Sequence, residues 1–266
     1  MNKSNTNIKP LAYWDLGLKD YQKAYEIQKA LHTLRQEELI PDTLLLLEHP
    51  PVFTLGKRGS EADILWSPDV CKDHGISIVK TDRGGQVTYH GPGQLVGYLI
   101  VNLYKQDRKI RWFVEELEQV IVRVLRNHWA IESEPSRSDP GVWVGKNKIT
   151  AVGIAIQQKV TLHGFALNVT TDLTHFSGII PCGIQGDGRW VTSLEQELRN
   201  RTQNSSLVES LSTESFGTDS DDSNQNSADS QPLTTTPDLM AQVKQQVLEE
   251  FCRTYGYVLT NETTGN

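Results

Sequence analysis

The sequence predicts an α+β fold, with helices packed on a mixed, mainly antiparallel sheet. Two observations carry this expectation. VWV, KITAVGIAI and VTLHGFALNV follow one another as strand-like runs between residues 142 and 169. The first pair is joined across GKN tightly enough for a hairpin. Segments of helical periodicity fall between and after strand-like runs, and no internal repeat is present.

From the N-terminus, LAYWDLG (11–17) and TLLLLEH (43–49) read as strands. Between them Tyr21, Ala24, Tyr25, Gln28, Leu31 and Leu34 recur at helical spacing. RGGQVTYHGPGQ (83–94) reads as a glycine-rich loop that feeds the buried strand QLVGYLIVNL. Its spacing matches neither G-x-x-x-x-G-K-[ST] nor G-x-G-x-x-G, so it is not a nucleotide loop. Ile110, Phe113, Val114, Leu117, Val120, Ile121, Val124 and Leu125 form one apolar stripe on a helix from about 108 to 128. After the three strands, Thr192 and Glu195 suit a capping box opening a short helix at SLEQEL. Thr236 and Pro237 suit the start of a last helix, with Met240, Val243, Val247, Phe251 and Cys252 on its apolar face.

Composition divides the 266 residues further. Six acids (Glu209, Glu214, Asp219, Asp221, Asp222 and Asp229), with no Lys or Arg, lie between 202 and 236, and supply all but one of the seven net negative charges. That stretch holds too few apolar residues to offset its ordering entropy and is expected to be disordered. The expected organisation is a core over 11–200, a polar acidic insertion over 201–236, and a helix and strand over 237–260 that pack on the core. The formal net charge of −7 argues against nucleic-acid binding. The N-terminus has no apolar signal segment, and no run of 18 apolar residues occurs. Three widely spaced cysteines form neither a zinc pattern nor a disulfide framework, which fits a reducing cytoplasm.

Cys182, between Pro181 and Gly183 in GIIPCGI (178–184), sits where neither a strand nor a helix centre is favoured. It is a candidate nucleophile, against the alternative of a small buried hydrophobe. Cys252 belongs on a core-facing helix stripe, and Cys71 lies among charged neighbours with no evident partner. A nucleophilic thiol needs a nearby His or Lys, and His90, His163, Lys146 and Lys148 are the candidates. Lys148 heads an otherwise apolar strand, and the alternative for it is a solvated strand end.

RGGQVTYHGPGQLVGY, with EHPPVFTLG (48–56), KITAVG (148–153), HGFALNV (163–169) and IIPCG (179–183), resembles the lipoyl(octanoyl) transferase family over about residues 11–198. The resemblance implies a fold shared with lipoate and biotin protein ligases and related to class II synthetase cores. It implies a cytoplasmic, monomeric acyltransferase without cofactor or metal. The implied donor is octanoyl-acyl carrier protein. The implied acceptors are the lipoyl domains of 2-oxoacid dehydrogenase E2 subunits and of the glycine cleavage H protein. It makes Cys182 the acylated nucleophile and Lys148 the residue that lowers its pKa. By the same match the substrate pocket takes Arg83, Gly84, Gly85, Gln86, Val87, Thr88, Tyr89 and His90, then Ala151, Val152 and Gly153, and finally Gly164, Phe165 and Ala166, with Tyr89 and His90 orienting the reacting ends. Transfer from a thioester to an amine is downhill without ATP, which agrees with the missing phosphate loop. An ATP-dependent lipoate ligase on the same fold is the rival, but it needs no cysteine after IIP. A non-catalytic acyl-binding module would need neither Cys182 nor Lys148.

Overall fold

The computed structural model describes residues 9–103, 110–136, 139–181, 184, 188–213 and 236–264. Strand β1 (Lys9–Leu18) leads into helix α1 (Tyr21–Gln36), whose Asp20 N-cap accepts a hydrogen bond from Lys23 N at 3.0 Å. Strands β2 (Asp42–Glu48) and β3 (Val52–Leu55) follow, then helix α2 (Pro68–Asp73) and strand β4 (Ser77–Lys80). Strands β5 (Val87–His90) and β6 (Gln94–Ile100) precede helix α3 (Ile110–Trp129). Strands β7 (Glu134–Pro135), β8 (Gly141–Val144), β9 (Asn147–Gln157) and β10 (Val160–Asn168) form an antiparallel run. Strand β11 (Trp190–Val191), helices α4 (Leu194–Thr213) and α5 (Thr236–Tyr255), and strand β12 (Tyr257–Thr264) complete the order.

The main sheet has nine strands among the described residues, in the order β12-β1-β2-β6-β10-β9-β8-β7, with β11 beside the start of β9. Its first three strands run parallel and the rest of that path is antiparallel, the mixed α+β arrangement the sequence predicts. A smaller sheet has the order β4-β3-β5. Why TLLLLEH is apolar at four successive positions follows from its place in the sheet. Leu44 and Leu46 face Leu117, Val120 and Val124 of α3 and Val243, Val247 and Phe251 of α5. Leu45 and Leu47 face Ala24 and Leu31 of α1 on the other side. A strand covered on both faces has no solvent side and so no alternation of polarity.

Three local expectations are corrected. The middle of RGGQVTYHGPGQ is strand β5, because Val87–His90 pairs antiparallel with Val52–Leu55. The cap of α4 is Ser193, whose Oγ accepts from Gln196 N at 3.2 Å, and Thr192 instead donates to the Glu197 carboxylate. That helix also runs on to Thr213, into the segment expected to be disordered. Residues 214–235 of the expected insertion lie outside the described residues.

One buried carboxylate joins four elements. Asp42 accepts from Arg35 Nε of α1 at 2.7 Å, from Asn102 N beyond β6 at 3.0 Å, and from the Tyr257 hydroxyl of β12 at 2.7 Å. Both Asp42 and Arg35 are buried, so removing either leaves an uncompensated charge in the core. Asp42→Ala is expected to cost about 3–5 kcal/mol. Tyr257→Phe, which removes one donor, is expected to cost about 1 kcal/mol. Urea midpoints of the two variants check the order, and equal losses would disprove the hub.

Candidate active site

A cavity of about 500 Å³ lies between the glycine-rich loop and strands β9 and β10. The loop is held by backbone on both sides. Gly56 N donates to Gln86 O at 2.9 Å, Lys57 N to Arg83 O at 3.0 Å and Arg58 N to Gly85 O at 3.0 Å. On the other side Gly84 N reaches Ile154 O of β9 at 3.3 Å. Gly85 adopts φ +90°, which an L side chain avoids, and a Cβ on Gly153 would stand 3.0 Å from Gly84 O. Arg83 is buried and forks onto Thr54 of β3, with Nη2 donating to Thr54 O at 2.6 Å and to Thr54 Oγ1 at 2.8 Å.

Of the residues singled out in the glycine-rich motif, Arg83, Gly84, Gly85, Gln86, Val87, Thr88 and His90 line this cavity. Ala151, Val152 and Gly153 of β9 and Gly164, Phe165 and Ala166 of β10 line it as well. Tyr89 is the exception. Period-2 alternation along β5 turns its ring away, into the core of the small sheet against Phe53 and Phe176 at centroid distances of 6.0 and 5.4 Å. Its ring therefore does not face this cavity. The motifs missed Tyr21 and Asp82, which also line the cavity. Tyr21 was hidden in a helical stripe, and Asp82 stands directly before RGG, so adjacency was the one available signal.

Lys148 lines the cavity and is only 7% exposed, so it is not a solvated strand end. Its backbone is gripped from both sides, paired with Trp143 of β8 and Val191 of β11, while Thr192 N donates to Lys148 O at 3.0 Å. Its ammonium stands 5.3 Å from the centroid of the Trp143 ring. Cys182 and Gly183 lie outside the described residues; Pro181 before them and Ile184 after them both line the same cavity. The other two thiols are poor nucleophiles. Cys71 is buried in the small-sheet core rather than standing among charges, and burial pushes its thiol pKa up. Burial pushes Cys252 up to about 11.

Three histidines form a buried group at and behind one wall. His49 donates from Nδ1 to Lys19 O at 2.7 Å, which leaves Nε2 to accept from the Tyr98 hydroxyl at 2.7 Å. His90 Nδ1 donates to Gln94 Oε1 at 2.7 Å, and Gln94 Nε2 passes the chain to Asn168 Oδ1 at 2.9 Å. His163, in the left-handed region at φ +62°, donates from Nε2 to Asp82 Oδ1 at 2.8 Å. That hydrogen bond, first among the causes, holds the Asp82 carboxyl down at about 2. Burial pushes all three imidazoles below their ordinary pKa, His49 to about 4. At neutral pH the group is therefore uncharged, and neither His90 nor His163 supplies a cation.

The lipoyl protein ligase A/B catalytic domain model matches residues 20–216. The chain belongs to that family. It is 50% identical over 184 residues to an octanoyltransferase of Alkaliphilus metalliredigens, covering 69% of this chain and 84% of that protein. It is 48% identical over 199 residues to an octanoyltransferase of Caldicellulosiruptor bescii, covering 74% and 86%. Among solved structures, lipoate-protein ligase A bound with ATP superposes at a TM-score of 0.65 with 15% identity, over 96% of this chain and 89% of that one. P. falciparum LipL1 in complex with lipoate gives 0.63 with 13% identity, over 96% and 66%. These likenesses establish the fold of lipoate protein ligases for this chain. Among the described residues no helix is long and apolar enough to cross a membrane.

The neutral imidazoles make stability depend on pH in a set direction. The folded pKa of His49, about 4, lies below the unfolded value of about 6.5. Between those values the unfolded chain takes up a proton that the folded chain refuses, so stability is full above about pH 6.5 and falls toward pH 4. The share of His49 in that fall is of order 3 kcal/mol. His49→Gln is expected to flatten the stability curve over this window. Parallel urea-derived curves for parent and variant would show that burial does not hold the ring neutral.

Proposed function

We propose that the chain transfers an octanoyl group from octanoyl-acyl carrier protein to one lysine of a lipoyl domain, through a thioester on Cys182. The observation that carries this reading is the placement of buried Lys148 at the wall of a cavity that is also lined by both described neighbours of the Cys182–Gly183 pair. The name octanoyltransferase on relatives at 50% and 48% identity supports the acyl group and the reaction class. The acceptors fitting this reading are the lipoyl domains of 2-oxoacid dehydrogenase E2 subunits and the glycine cleavage H protein.

The steps follow from proton and charge balance. The Cys182 thiolate, paired with the Lys148 ammonium, attacks the donor thioester carbonyl. The carrier's sulfur leaves with the proton of Lys148, which gives octanoyl-Cys182, a free pantetheine thiol and a neutral lysine. The acceptor amine then attacks octanoyl-Cys182 while Lys148 takes its proton. Cys182 leaves as the thiolate and the ion pair is restored. No step needs ATP. Apolar Val152, Phe165 and Ala166 suit the alkyl chain, and exposed Lys57 and Arg58 at the rim give the phosphopantetheine arm a cationic approach.

Mixing with octanoyl-carrier protein and measuring intact mass is expected to show one octanoyl adduct without ATP. The adduct is expected to persist in Cys71→Ser and Cys252→Ser and to vanish in Cys182→Ala; an adduct in Cys182→Ala would sink the assignment. Lys148→Arg keeps a cation that cannot deprotonate, so it is expected to acylate slowly and fail in transfer. Lys148→Ala is expected to fail at both steps, with its thiol titrating nearer the free value of about 8.5 when followed by iodoacetamide alkylation. An unchanged thiol titration in Lys148→Ala would remove the lysine from the mechanism.

A further inference from the structure

We propose that Glu118 is a positioning residue for Lys148: its carboxylate, buried behind β8 on the residue against which the lysine stem lies, acts through space on the ammonium and raises its affinity for a proton. The inference rests on the reading of Lys148 given above. Glu118 is 3% exposed on α3, where Leu117, Val120 and Ile121 beside it belong to the apolar core. A carboxylate in such a place is costly unless a partner compensates it.

The geometry gives it a hydrogen-bond donor and brings a cation close by. Glu118 Oε1 accepts from Gly141 N, the first residue of β8, at 2.6 Å. Gly141 has φ +146°, and a Cβ there would stand 2.6 Å from Lys148 Cε and 2.3 Å from Thr150 O. The lysine stem therefore lies against the very residue whose N–H the carboxylate grips, and the two charges act on each other. A brace for β8 alone would need an acceptor but no charge.

Among the described residues, the other charged groups around Glu118 do not replace this pairing. Glu115 on the same helix opposes its ionisation. Strand β8 brings no titratable group, β9 brings only Lys148, and Glu134 of β7 is exposed. On α5, Glu250 is held by Arg123 and Arg253. Burial pushes the Glu118 carboxyl up to about 7, against the lowering effects of the Gly141 N–H and, more weakly, of the Lys148 ammonium. Carboxylate and ammonium thus stabilise each other's charge. When Lys148 accepts the proton of an attacking amine, Glu118 stabilises the ammonium that forms.

The test isolates the second half-reaction. Octanoyl-Cys182 enzyme is prepared and freed of donor, and hydroxamate release by hydroxylamine, an amine already neutral throughout, is followed from about pH 6.5 to 10. In the parent the rate is expected to rise with pH as Lys148 loses its proton, and in Lys148→Ala that rise is expected to be absent. In Glu118→Gln, whose amide oxygen still accepts from Gly141, the rise is expected about one pH unit lower, a tenfold change in proton affinity. Glu118→Asp, which keeps the charge at shorter reach, is expected to lie between them and serves alone if the glutamine variant does not fold. A profile scaled in height but unmoved in pH would overturn the inference and leave Glu118 a brace. A parent that takes up no acyl group, or a Lys148→Ala profile like the parent's, would overturn the function reading and this inference with it.

Discussion

The cavity depends on the burial of one guanidinium. Arg83 reaches from the glycine-rich loop to Thr54 of β3 with two donors on the same residue, so the loop is tied to the small sheet by a planar fork. From that anchor the next two residues pass over β9 closely enough for a Gly84–Ile154 hydrogen bond. The large sheet, the small sheet and the loop between them are thereby set relative to one another, and the space they enclose is the cavity. A lysine in place of Arg83 would offer a point charge where a fork is needed.

Electrostatics inside that space follow from how little water reaches it. The imidazoles at its wall are uncharged because burial disfavours their ionised forms. This divides the work among similar-looking candidates. His90 and His163 hydrogen-bond Gln94 and Asp82 and shape the wall, whereas the proposed mechanism assigns the proton to Lys148. The sequence could nominate all of them but could not rank them, because ranking depends on which partner each group meets in space.

Much of the fold was legible because its signals are local. The stripes of α1, α3 and α5 carry the helical period, and the VWV, KITAVGIAI and VTLHGFALNV runs carry strand composition and a tight turn. Strand β5 was not legible, since Val87–His90 becomes a strand by meeting β3, and glycines on either side mask its short alternation. The Tyr89 error has the same origin: motif membership places a residue in a segment, while pleat decides which face it serves. Glu118 was invisible for another reason. A single acid within an apolar helical stripe reads as a solvated position until the strand beside it is known.

The parallel pairing of β1 with β12 sets Leu11 beside Leu259, so the edge of the main sheet joins two segments far apart in the sequence. During synthesis β1 leaves the ribosome long before its outer neighbour exists, and the faces of α3 that Val243, Val247 and Phe251 will cover stay open as well. Contacts of such sequence separation slow folding, because loop closure must precede the energy it releases. The nascent chain thus carries an unfinished hydrophobic surface until α5 has been made, an exposure that favours aggregation over folding while it lasts.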